Sequence, residues 1–210
     1  MRGLRALLFL TAKARCSMLV RQIQLLPDRL AQHKTIPIVE NRLQFMQVLR
    51  LQQVNSILLR HCDLFDFTPL LGQAHQRSLA IYINVDQLDG IYPDEAGLGL
   101  LAQYFHVAGI MSNNPRILAL GKAIGLETIQ RMFAVDSTGL ETALQSVVAQ
   151  HVDMLNISPA PVIPYVIKSL SRPLPVPFIG SGLLQTRQQL QAVLDAGAAG
   201  IAVARSELWR

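Results

Sequence analysis

Residues 79–112 of this chain read LAIYINVDQLDGIYPDEAGLGLLAQYFHVAGIMS, and this stretch decides the fold. It begins with a mainly apolar run at Leu79–Asp86 and ends with another at Val107–Ser112, while a helix-period stretch occupies 93–104 between them. Nearly continuous apolar runs are typical of parallel strands that are buried on both faces. The stretch therefore predicts a strand, a helix and a second strand in succession.

The same alternation continues in both directions, from residue 36 to the end of the chain. Strands are predicted at Ile36–Glu40, Ser56–Arg60, Leu79–Asp86, Val107–Ser112, Glu127–Asp136, Val152–Ser158, Val176–Ser181 and Ala199–Ala204. The helix-period stretches between them are 41–51, 64–76, 93–104, 114–124, 138–149, 161–171 and 186–196. This alternation favours a closed parallel (β/α)8 barrel of the TIM type, an α/β fold of one domain, and a doubly wound open sheet is the alternative. With 210 residues the chain is short for this barrel, for which about 250 residues are typical.

Local signals mark the ends of several predicted helices. Asn114 followed by Pro115 puts proline at a first helical position, and Ser137 and Thr186 are expected N-caps. Gly125 and Gly197 stand where helices should end, as glycine readily adopts the left-handed conformation found there.

Composition places the chain among globular proteins. Hydrophobic residues make up 50% of it and the mean hydropathy is +0.30, which is ample for a core and argues against disorder. No apolar run approaches the roughly 18 residues that a membrane-spanning helix needs. Cys16 and Cys62 give neither a disulfide framework nor metal-ligand spacing, so we expect free thiols, a cytoplasmic location, and no membrane or metal.

The positive charge is concentrated at the N-terminus. The formal net charge is +5, but residues 1–34 hold seven basic residues against one acidic residue, and the rest of the chain is close to neutral. We therefore expect a basic N-terminal extension at 1–34, whose true start is Met18 in one interpretation, and a barrel domain at 35–210. Residues 1–17, which resemble a signal peptide only weakly, are expected to be dispensable for folding. The sequence pI near 9.6 is then no evidence that the barrel binds nucleic acid.

Candidate site residues stand at the C-terminal ends of the predicted strands, where barrels of this type carry their working groups. These ends carry Glu40, Asp86, Ser112, Asn113, Asp136, Ser158, Ser181 and Arg205. Tyr82, Asn84 and Asp86 share one strand face by the period of two. Two interpretations of Asp86 remain open, a ligand contact at the barrel mouth and a cap of the turn that follows at Asp89-Gly90.

Gln130 and Arg131, followed by Asp136, form a second candidate within a predicted strand. A buried arginine must be paired. Arg131 is therefore expected to bind an anionic ligand with its guanidinium fork, to form a salt bridge with Asp86, or to do both. We predict that Asp86 and Arg131 belong to one polar cluster in the upper half of the barrel.

A phosphate site is the third candidate, at the ends of strands seven and eight. Gly180-Ser181-Gly182 forms a turn where glycine lets backbone N–H groups approach an anion, and the helix that opens near Thr186 should help. The end of strand eight, Ala204-Arg205, would supply the other half. Without this position in the barrel, the same glycines would indicate only a tight turn.

The absence of several residue patterns argues against catalysis. No lysine ends a predicted strand, the histidines are scattered without metal-ligand spacing, and no nucleophile–histidine arrangement is present. An enzyme acting on a phosphorylated substrate, with Asp86 or Asp136 as general base, remains an alternative.

Several short segments occur in an order and spacing found in one family. They are Val85-Asp86, Asp94-Glu95-Ala96-Gly97, Ile129-Gln130-Arg131 with Phe133, Asp136-Ser137, Gly182-Leu183 and Glu207-Leu208-Trp209. From about Pro37 to Trp209 the chain resembles the glycerol-3-phosphate-responsive antiterminator family. The resemblance implies a regulatory barrel, not an enzyme and without a cofactor, that binds glycerol 3-phosphate or a related small phosphate and then a leader mRNA. Such a protein prevents early transcription termination in glycerol-use genes.

The chain departs from the family pattern at polar positions of the expected mouth. The departures are Asn84 for a histidine, Asn114 and Gln185 for arginines, Asn156 for a glutamate, Ser181 for a glycine, and Ala202, Val203 and Ala204 for hydroxyl-rich residues. Loss of two cations should weaken phosphate binding, since a charge-assisted hydrogen bond contributes about 1.5–3 kcal/mol. The expected ligand-binding set is Asp86, Gln130, Arg131, Asp136, Ser158, Gly180, Ser181, Gly182, Ala204 and Arg205. A regulator that has lost sensing and keeps the barrel for protein interactions is a further alternative, and formation of a homo-oligomer stays open.

Overall fold

The computed structural model describes residues 25–210, apart from the side chain of Ser137. The helices are α1 Leu26–Gln32, α2 Arg42–Leu49, α3 Leu64–Gln76, α4 Glu95–Gln103, α5 Pro115–Ala123, α6 Ser137–Leu144, α7 Ile163–Val166 and α8 Arg187–Asp195. The strands are β1 Thr35–Val39, β2 Ser56–Leu59, β3 Cys62–Asp63, β4 Ala80–Asn84, β5 Leu88–Asp89, β6 Gly109–Ser112, β7 Glu127–Phe133, β8 Met154–Ser158, β9 Phe178–Ser181 and β10 Gly200–Val203. Short 3-10 turns occupy Val85–Gln87, Ala160–Val162, Ile167–Ser169 and Ser206–Leu208. Within residues 25–210, no helix combines the length and apolarity needed to cross a membrane.

Eight of the strands close into a parallel barrel in the order β1-β2-β4-β6-β7-β8-β9-β10, with β10 paired back to β1. The predicted (β/α)8 barrel is therefore confirmed, and every predicted strand overlaps an observed one. The remaining strands, β3 and β5, form a separate parallel pair that joins Cys62 to Leu88 and Asp63 to Asp89. The sequence pattern did not predict this pair, because two residues are too few to show a period.

Alternate residues along the strands serve two hydrophobic clusters. The barrel interior is filled by a cluster that includes Ile38, Leu58, Tyr82, Met111 and Ile129. The opposite strand faces pack against the surrounding helices in a larger cluster. Side chains alternate between the two faces of a strand. Every second residue of a strand therefore points into the barrel, and the last such residue reaches the barrel mouth.

Helix α1 closes the N-terminal end of the barrel. Leu26 and Leu30 are 1% and 0% exposed and belong to the interior cluster. The first-turn N–H of α1, at Leu26, donates to the carboxylate of Glu127, the first residue of β7, at 2.9 Å. Leu26 and Leu30, which fall within the expected N-terminal extension at 1–34, thus pack as part of the barrel core. The limits of that extension stay a prediction, since residues 1–24 lie outside the described residues.

Helix termini follow the predicted capping signals with one exception. Asn114 caps α5 with Pro115 in the first turn, and Thr186 caps α8 in a capping box. Helix α6 is capped by Asp136, whose carboxylate accepts from the backbone N–H three residues further on at 2.6 Å. The prediction of Ser137 as this cap is therefore wrong by one residue.

Three predicted elements end earlier than expected or are broken. The predicted strand Leu79–Asp86 ends at Asn84, whose side-chain oxygen accepts from the N–H of Asp86 and starts a 3-10 turn. The predicted strand Glu127–Asp136 ends at Phe133. The predicted helix 161–171 is divided into a 3-10 turn, the four-residue α7 and a second 3-10 turn, because prolines at 161 and 164 lack the N–H that a continuous helix needs.

Candidate ligand site at the barrel mouth

A layer of polar side chains lies above the apolar interior at the C-terminal ends of the strands. Each member stands at an inward-facing position at or just beyond the end of its strand. The members are Glu40, Arg60, Asn84, Arg131, Asn156, Ser158 and Ser181. Glu40 and Arg60 come from the neighbouring strands β1 and β2 and form an ion pair of 2.7 Å. The whole layer draws its residues from strands between β1 and β9, and these strands bring them together at one mouth, as the barrel architecture predicts.

A small cavity of about 80 Å³ opens at the ends of β9 and β10. It is lined by Ile38, Arg60, Gly182, Leu183, Leu184, Ala202, Val203, Ala204 and Arg205. Three members of the predicted phosphate site, Gly182, Ala204 and Arg205, thus lie on one cavity. The guanidinium of Arg60 adds a cation that the sequence analysis did not select.

Several residues that line this cavity have backbone N–H groups without an acceptor in the described part of the chain. Within residues 25–210, the N–H groups of Gly182, Leu183, Ala204 and Arg205 donate to no other group. Gly182 and Leu183 have φ values of 79° and 56°, and successive residues in this conformation turn the chain sharply after β9. Unpaired N–H groups beside a guanidinium form an arrangement that suits an anion without requiring lysine.

The other two residues of the predicted turn have different surroundings. A Cβ at Gly180 would meet Val193 at 2.8 Å and Ile163 at 2.9 Å, so this glycine allows α7 and α8 to pack closely on the outside of the barrel. Ser181 is buried at the end of β9 and does not line the cavity. Ser158 lies beneath the turn, with its Oγ 2.8 Å from the position that a Cβ at Gly182 would occupy.

Arg131 reaches the mouth from β7 and is partly buried. Its guanidinium lies over the ring of Phe133, with Cζ 4.6 Å from the ring centroid. Burial lowers the pKa of Arg131 below its ordinary value, and the like charge of Arg60 lowers it further, whereas the Asp86 carboxylate opposes this shift. Asp86 and Arg131 thus act on each other electrostatically, but the salt bridge expected between them is not formed.

Asp86 instead joins two loops at the mouth. Its carboxylate oxygens accept from the hydroxyl of Ser112 at 2.6 Å and from the N–H of Asn113 at 2.7 Å. The carboxylate therefore ties the turn after β4 to the loop after β6. Asp86 does not line the cavity, and neither does Asp136, which caps α6.

Gln130 and Asn156 have buried amide side chains that lie on opposite sides of the barrel wall. Gln130 faces away from the barrel interior and donates through Nε2 to the hydroxyl of Ser146 at 3.0 Å, which is no contact at the mouth. Asn156 pairs in register with Arg131 and is 1% exposed within the barrel. Its Nδ2 donates to the sulfur of Met111 at 3.4 Å, and its Oδ1 has no partner in the described part of the chain.

Arg60 and Asn156 are the mouth residues that the sequence analysis did not select. Arg60 is the last residue of the predicted strand Ser56–Arg60. It lies on the same inward face as Ser56 and Leu58, and this alternation is the sequence signal that could have placed it at the mouth. Asn156 was noted only as a departure from the family pattern. Among residues 25–210, no group of His, Cys, Asp or Glu side chains has the geometry to hold a metal ion.

The model of one protein family, described as the glycerol-3-phosphate responsive antiterminator, matches residues 35–209, nearly the whole barrel. The chain belongs to the glycerol-3-phosphate responsive antiterminator family. The sequence resemblance is thereby confirmed, and the family is one of regulators.

Two solved structures share the barrel of this antiterminator family member. The glycerol uptake operon antiterminator regulatory protein from Listeria monocytogenes is 21% identical, with a TM-score of 0.75 over 84% of this chain and 95% of that one. A glycerol uptake operon antiterminator-related protein from Thermotoga maritima is 19% identical, with a TM-score of 0.70 over 83% and 96%. The uncharacterized protein YgcP of Escherichia coli is 25% identical over 128 residues, which are 61% of this chain and 66% of that protein, just under two thirds of its length.

Proposed function

We propose that this antiterminator-family barrel is a ligand-responsive regulator that binds glycerol 3-phosphate or a related small phosphate at its mouth. The cavity at the ends of β9 and β10 carries the proposal. It combines four unpaired backbone N–H groups with Arg60 in a volume of about 80 Å³, which is small enough to be filled by one phosphate group. The loops after strands seven and eight of such barrels frequently bind phosphate.

Ligand binding would connect several strand ends at the mouth at once. A phosphate in the cavity would accept from the turn at Gly182-Leu183, from the end of β10 at Ala204-Arg205 and from Arg60, which is held by Glu40. The donor groups belong to three different strand ends, those of β9, β10 and β2. A ligand that binds one arrangement of the loops better than another shifts the population toward that arrangement.

The proposed output is binding of a leader mRNA, which would prevent early termination of glycerol-use transcripts. The family description supports antitermination in response to glycerol 3-phosphate. A ligand-favoured loop arrangement with higher RNA affinity would couple the two partners. Because nascent transcripts are the target, this function places the protein in the cytoplasm.

Neither carboxylate that was a candidate general base supports the enzyme alternative. Both oxygens of Asp86 accept hydrogen bonds from the β6 loop, and Asp136 caps α6. Neither residue lines the cavity where a phosphorylated substrate would lie. We therefore do not propose a reaction.

Calorimetric titration with glycerol 3-phosphate tests the ligand site, with Ala204→Asp and Ala204→Asn as matched variants. Ala204 lines the cavity, and the two replacements are nearly equal in shape but differ by one negative charge. We expect Ala204→Asp to weaken binding at least about tenfold more than Ala204→Asn, a difference of about 1.4 kcal/mol. Gly182→Val is a poorer choice, because its positive φ and the nearby Ser158 hydroxyl would strain the fold itself.

Two outcomes would count against the proposal. Equal binding by both variants would place the anion elsewhere on the molecule. No binding by the unmodified protein at millimolar ligand would favour a regulator that has lost sensing.

A further inference from the structure

We infer that the leader RNA contacts this barrel along a basic groove beside the ligand cavity, between the end of α2 and the segment 204–210 that follows β10. The chemistry that fits this groove is the sugar-phosphate backbone of the RNA. The inference rests on the proposed function, since it names the surface through which the proposed RNA binding takes place. It concerns the outer wall of the barrel next to the mouth, which the ligand cavity does not include.

The loops around the mouth differ in charge from one side to the other. Residues 61–95, which include the loops after β2 and β4, hold six acidic residues against one basic residue, Arg77, whose guanidinium donates to backbone carbonyl groups. Residues 182–210, which include the loops after β9 and β10, hold Arg187, Arg205 and Arg210 against two acidic residues. Because the acidic side repels phosphates, we expect a bound RNA to lie on the β9 and β10 side.

A groove of about 420 Å³ lies on this basic side. One wall is the end of α2, with Gln47 and Arg50, and the other is the 3-10 turn Ser206–Leu208 with Arg210. Within residues 25–210, the side chains of Gln47, Arg50 and Ser206 form no hydrogen bond with another group. Arginine, glutamine and serine side chains are among the usual donors to the phosphate and sugar oxygens of nucleic acids. The groove therefore offers free donors of the kind that an RNA backbone requires.

The positive charge around the groove is only weakly compensated. Arg187, at the start of α8, donates through Nη1 to the carbonyl of Arg210 at 2.9 Å, which places a further guanidinium beside the groove. Glu207 lines the groove, but it approaches Arg205 only to 3.8 Å, and the two side chains are 71% and 54% exposed. Exposed ion pairs of this kind are weak. Phosphates can therefore take the place of water and of this pair without loss of a strong contact.

One short segment joins the groove to the ligand cavity. Ala204 and Arg205 line the cavity, and the next residue, Ser206, lines the groove. The indole of Trp209 holds the segment against the end of β10, where its Nε1 donates to the carbonyl of Val203 at 2.8 Å. A phosphate bound to the N–H groups of Ala204 and Arg205 would thus act directly on one wall of the groove. Contacts of this kind, which differ between two arrangements of a shared element, are what ligand-dependent RNA binding requires.

Titration of RNA against two double variants of equal net charge tests the inference. The probe is the leader transcript of a glycerol-use operon from the organism that encodes this chain. The groove variant is Arg50→Gln with Arg187→Gln, and neither residue lines the ligand cavity. The control is Arg116→Gln with Arg172→Gln, two exposed arginines that do not line the groove. Arg116 lies in α5, which follows β6, on the side of the barrel opposite β10.

We expect the groove variant to bind the transcript at least about tenfold more weakly than the unmodified chain, and the control to change by less than about threefold. The slope of log affinity against log salt concentration should decrease in magnitude by about 1.4 for the groove variant, because each lost phosphate contact to a single strand contributes about 0.7. The affinity of both variants for glycerol 3-phosphate should stay within about threefold of that of the unmodified chain.

A third variant, Arg50→Lys with Arg187→Lys, separates charge from any structural role of the two arginines. It retains both charges and should keep the salt slope of the unmodified chain, whereas a slope lowered as in the glutamine variant would overturn the inference. Equal weakening by the groove variant and its control would also overturn it, because overall charge would then attract the RNA. Unchanged RNA binding by the groove variant would overturn the inference and leave the proposed function in place. If the unmodified chain binds glycerol 3-phosphate but not the transcript, the proposed RNA output fails together with the inference.

Discussion

Glu127 has a buried carboxyl group. The residue lies at the end of the barrel that α1 closes and is 7% exposed. Its Oε2 accepts from the N–H of Leu26 at 2.9 Å and from the hydroxyl of Tyr82 at 3.0 Å. Burial raises the pKa of Glu127 above its ordinary value, and the two hydrogen bonds only partly oppose this shift. The fold therefore binds a proton at Glu127 more tightly than the unfolded chain does.

This shift predicts how stability depends on pH. Since the folded pKa of Glu127 is the higher one, its contribution is fully present below the unfolded pKa near 4.5 and is lost as the pH rises through the folded pKa. Glu127→Gln cannot ionise, and its side-chain oxygen can accept the same two hydrogen bonds. We expect its free energy of unfolding, relative to that of the unmodified chain, to increase as the pH rises from 4.5 toward 8, as measured by urea denaturation.

The matched variant for this measurement is Glu127→Ala. It leaves the Leu26 N–H and the Tyr82 hydroxyl buried without an acceptor, which should cost about 1–3 kcal/mol for each group. A difference between the glutamine variant and the unmodified chain that does not change with pH would show that Glu127 does not titrate in this range.

At the scale of elements, α1 behaves as part of the barrel, although it precedes the strand pattern. A Cβ at Gly200 would lie 2.6 Å from Leu30, so the start of β10 has no side chain where the helix enters. Arg29 donates to the carbonyl groups of Asn55 and Ser78, which precede β2 and β4. One short helix thus contacts the beginnings of several strands.

Truncation of the α1 side chains should therefore destabilise the whole barrel. We expect Leu30→Ala to lower the free energy of unfolding by about 2–5 kcal/mol, the range for large-to-small changes in a core. Leu25→Ala is the matched control, because this leucine is 49% exposed and should change stability by less than about 0.5 kcal/mol. Similar effects of the two substitutions in denaturant titrations would contradict a plugging role for the helix.

Two truncated chains distinguish the contribution of α1 to folding from that of residues 1–17. A chain starting at Met18 keeps α1 and should melt at the same temperature as the full chain. A chain starting at Thr35 lacks α1, which closes the N-terminal end of the barrel, and should fail to fold cooperatively. An unfolded product from the Met18 start would contradict the expectation that residues 1–17 are dispensable.

At the scale of the whole molecule, ligand and RNA must affect each other equally if the proposed function is right. Coupling between two binding sites is reciprocal, so a ligand that raises RNA affinity by a given factor is itself bound more tightly by that factor when RNA is present. We expect a factor between about 5 and 150, the usual range for such coupling. Titration of a leader transcript with and without ligand, and of ligand with and without transcript, measures the factor twice.

Ala204→Asp supplies the control for this coupling. Its RNA affinity without ligand should equal that of the unmodified chain, and its response to ligand should be lost. A ligand that binds the unmodified chain but leaves RNA affinity unchanged would separate sensing from RNA binding and contradict the proposed mechanism.

The order and type of the elements follow from the sequence by itself, because they depend on residues close together in the chain. Apolar runs and helix-period stretches predicted all eight barrel strands and the helical segments between them, and the caps at Asn114 and Thr186 predicted where α5 and α8 begin. The end of β9 at Gly182 and the end of β10 at Ala204-Arg205 were predicted to lie together, and the barrel brings them to one cavity.

Only the tertiary structure decided which polar groups pair. Asp86 bonds to the β6 loop and not to Arg131, Gln130 turns away from the mouth, and Arg60 faces the cavity. The bond between Leu26 and Glu127 joins residues 101 positions apart, a separation across which no local period carries information. Hydrogen bonds are short and directional, so a shift of one residue or one rotamer changes the partner. The hydrophobic pattern is spread over many residues and does not depend on any single contact, which is why the fold was predictable and the hydrogen-bond partners at its mouth were not.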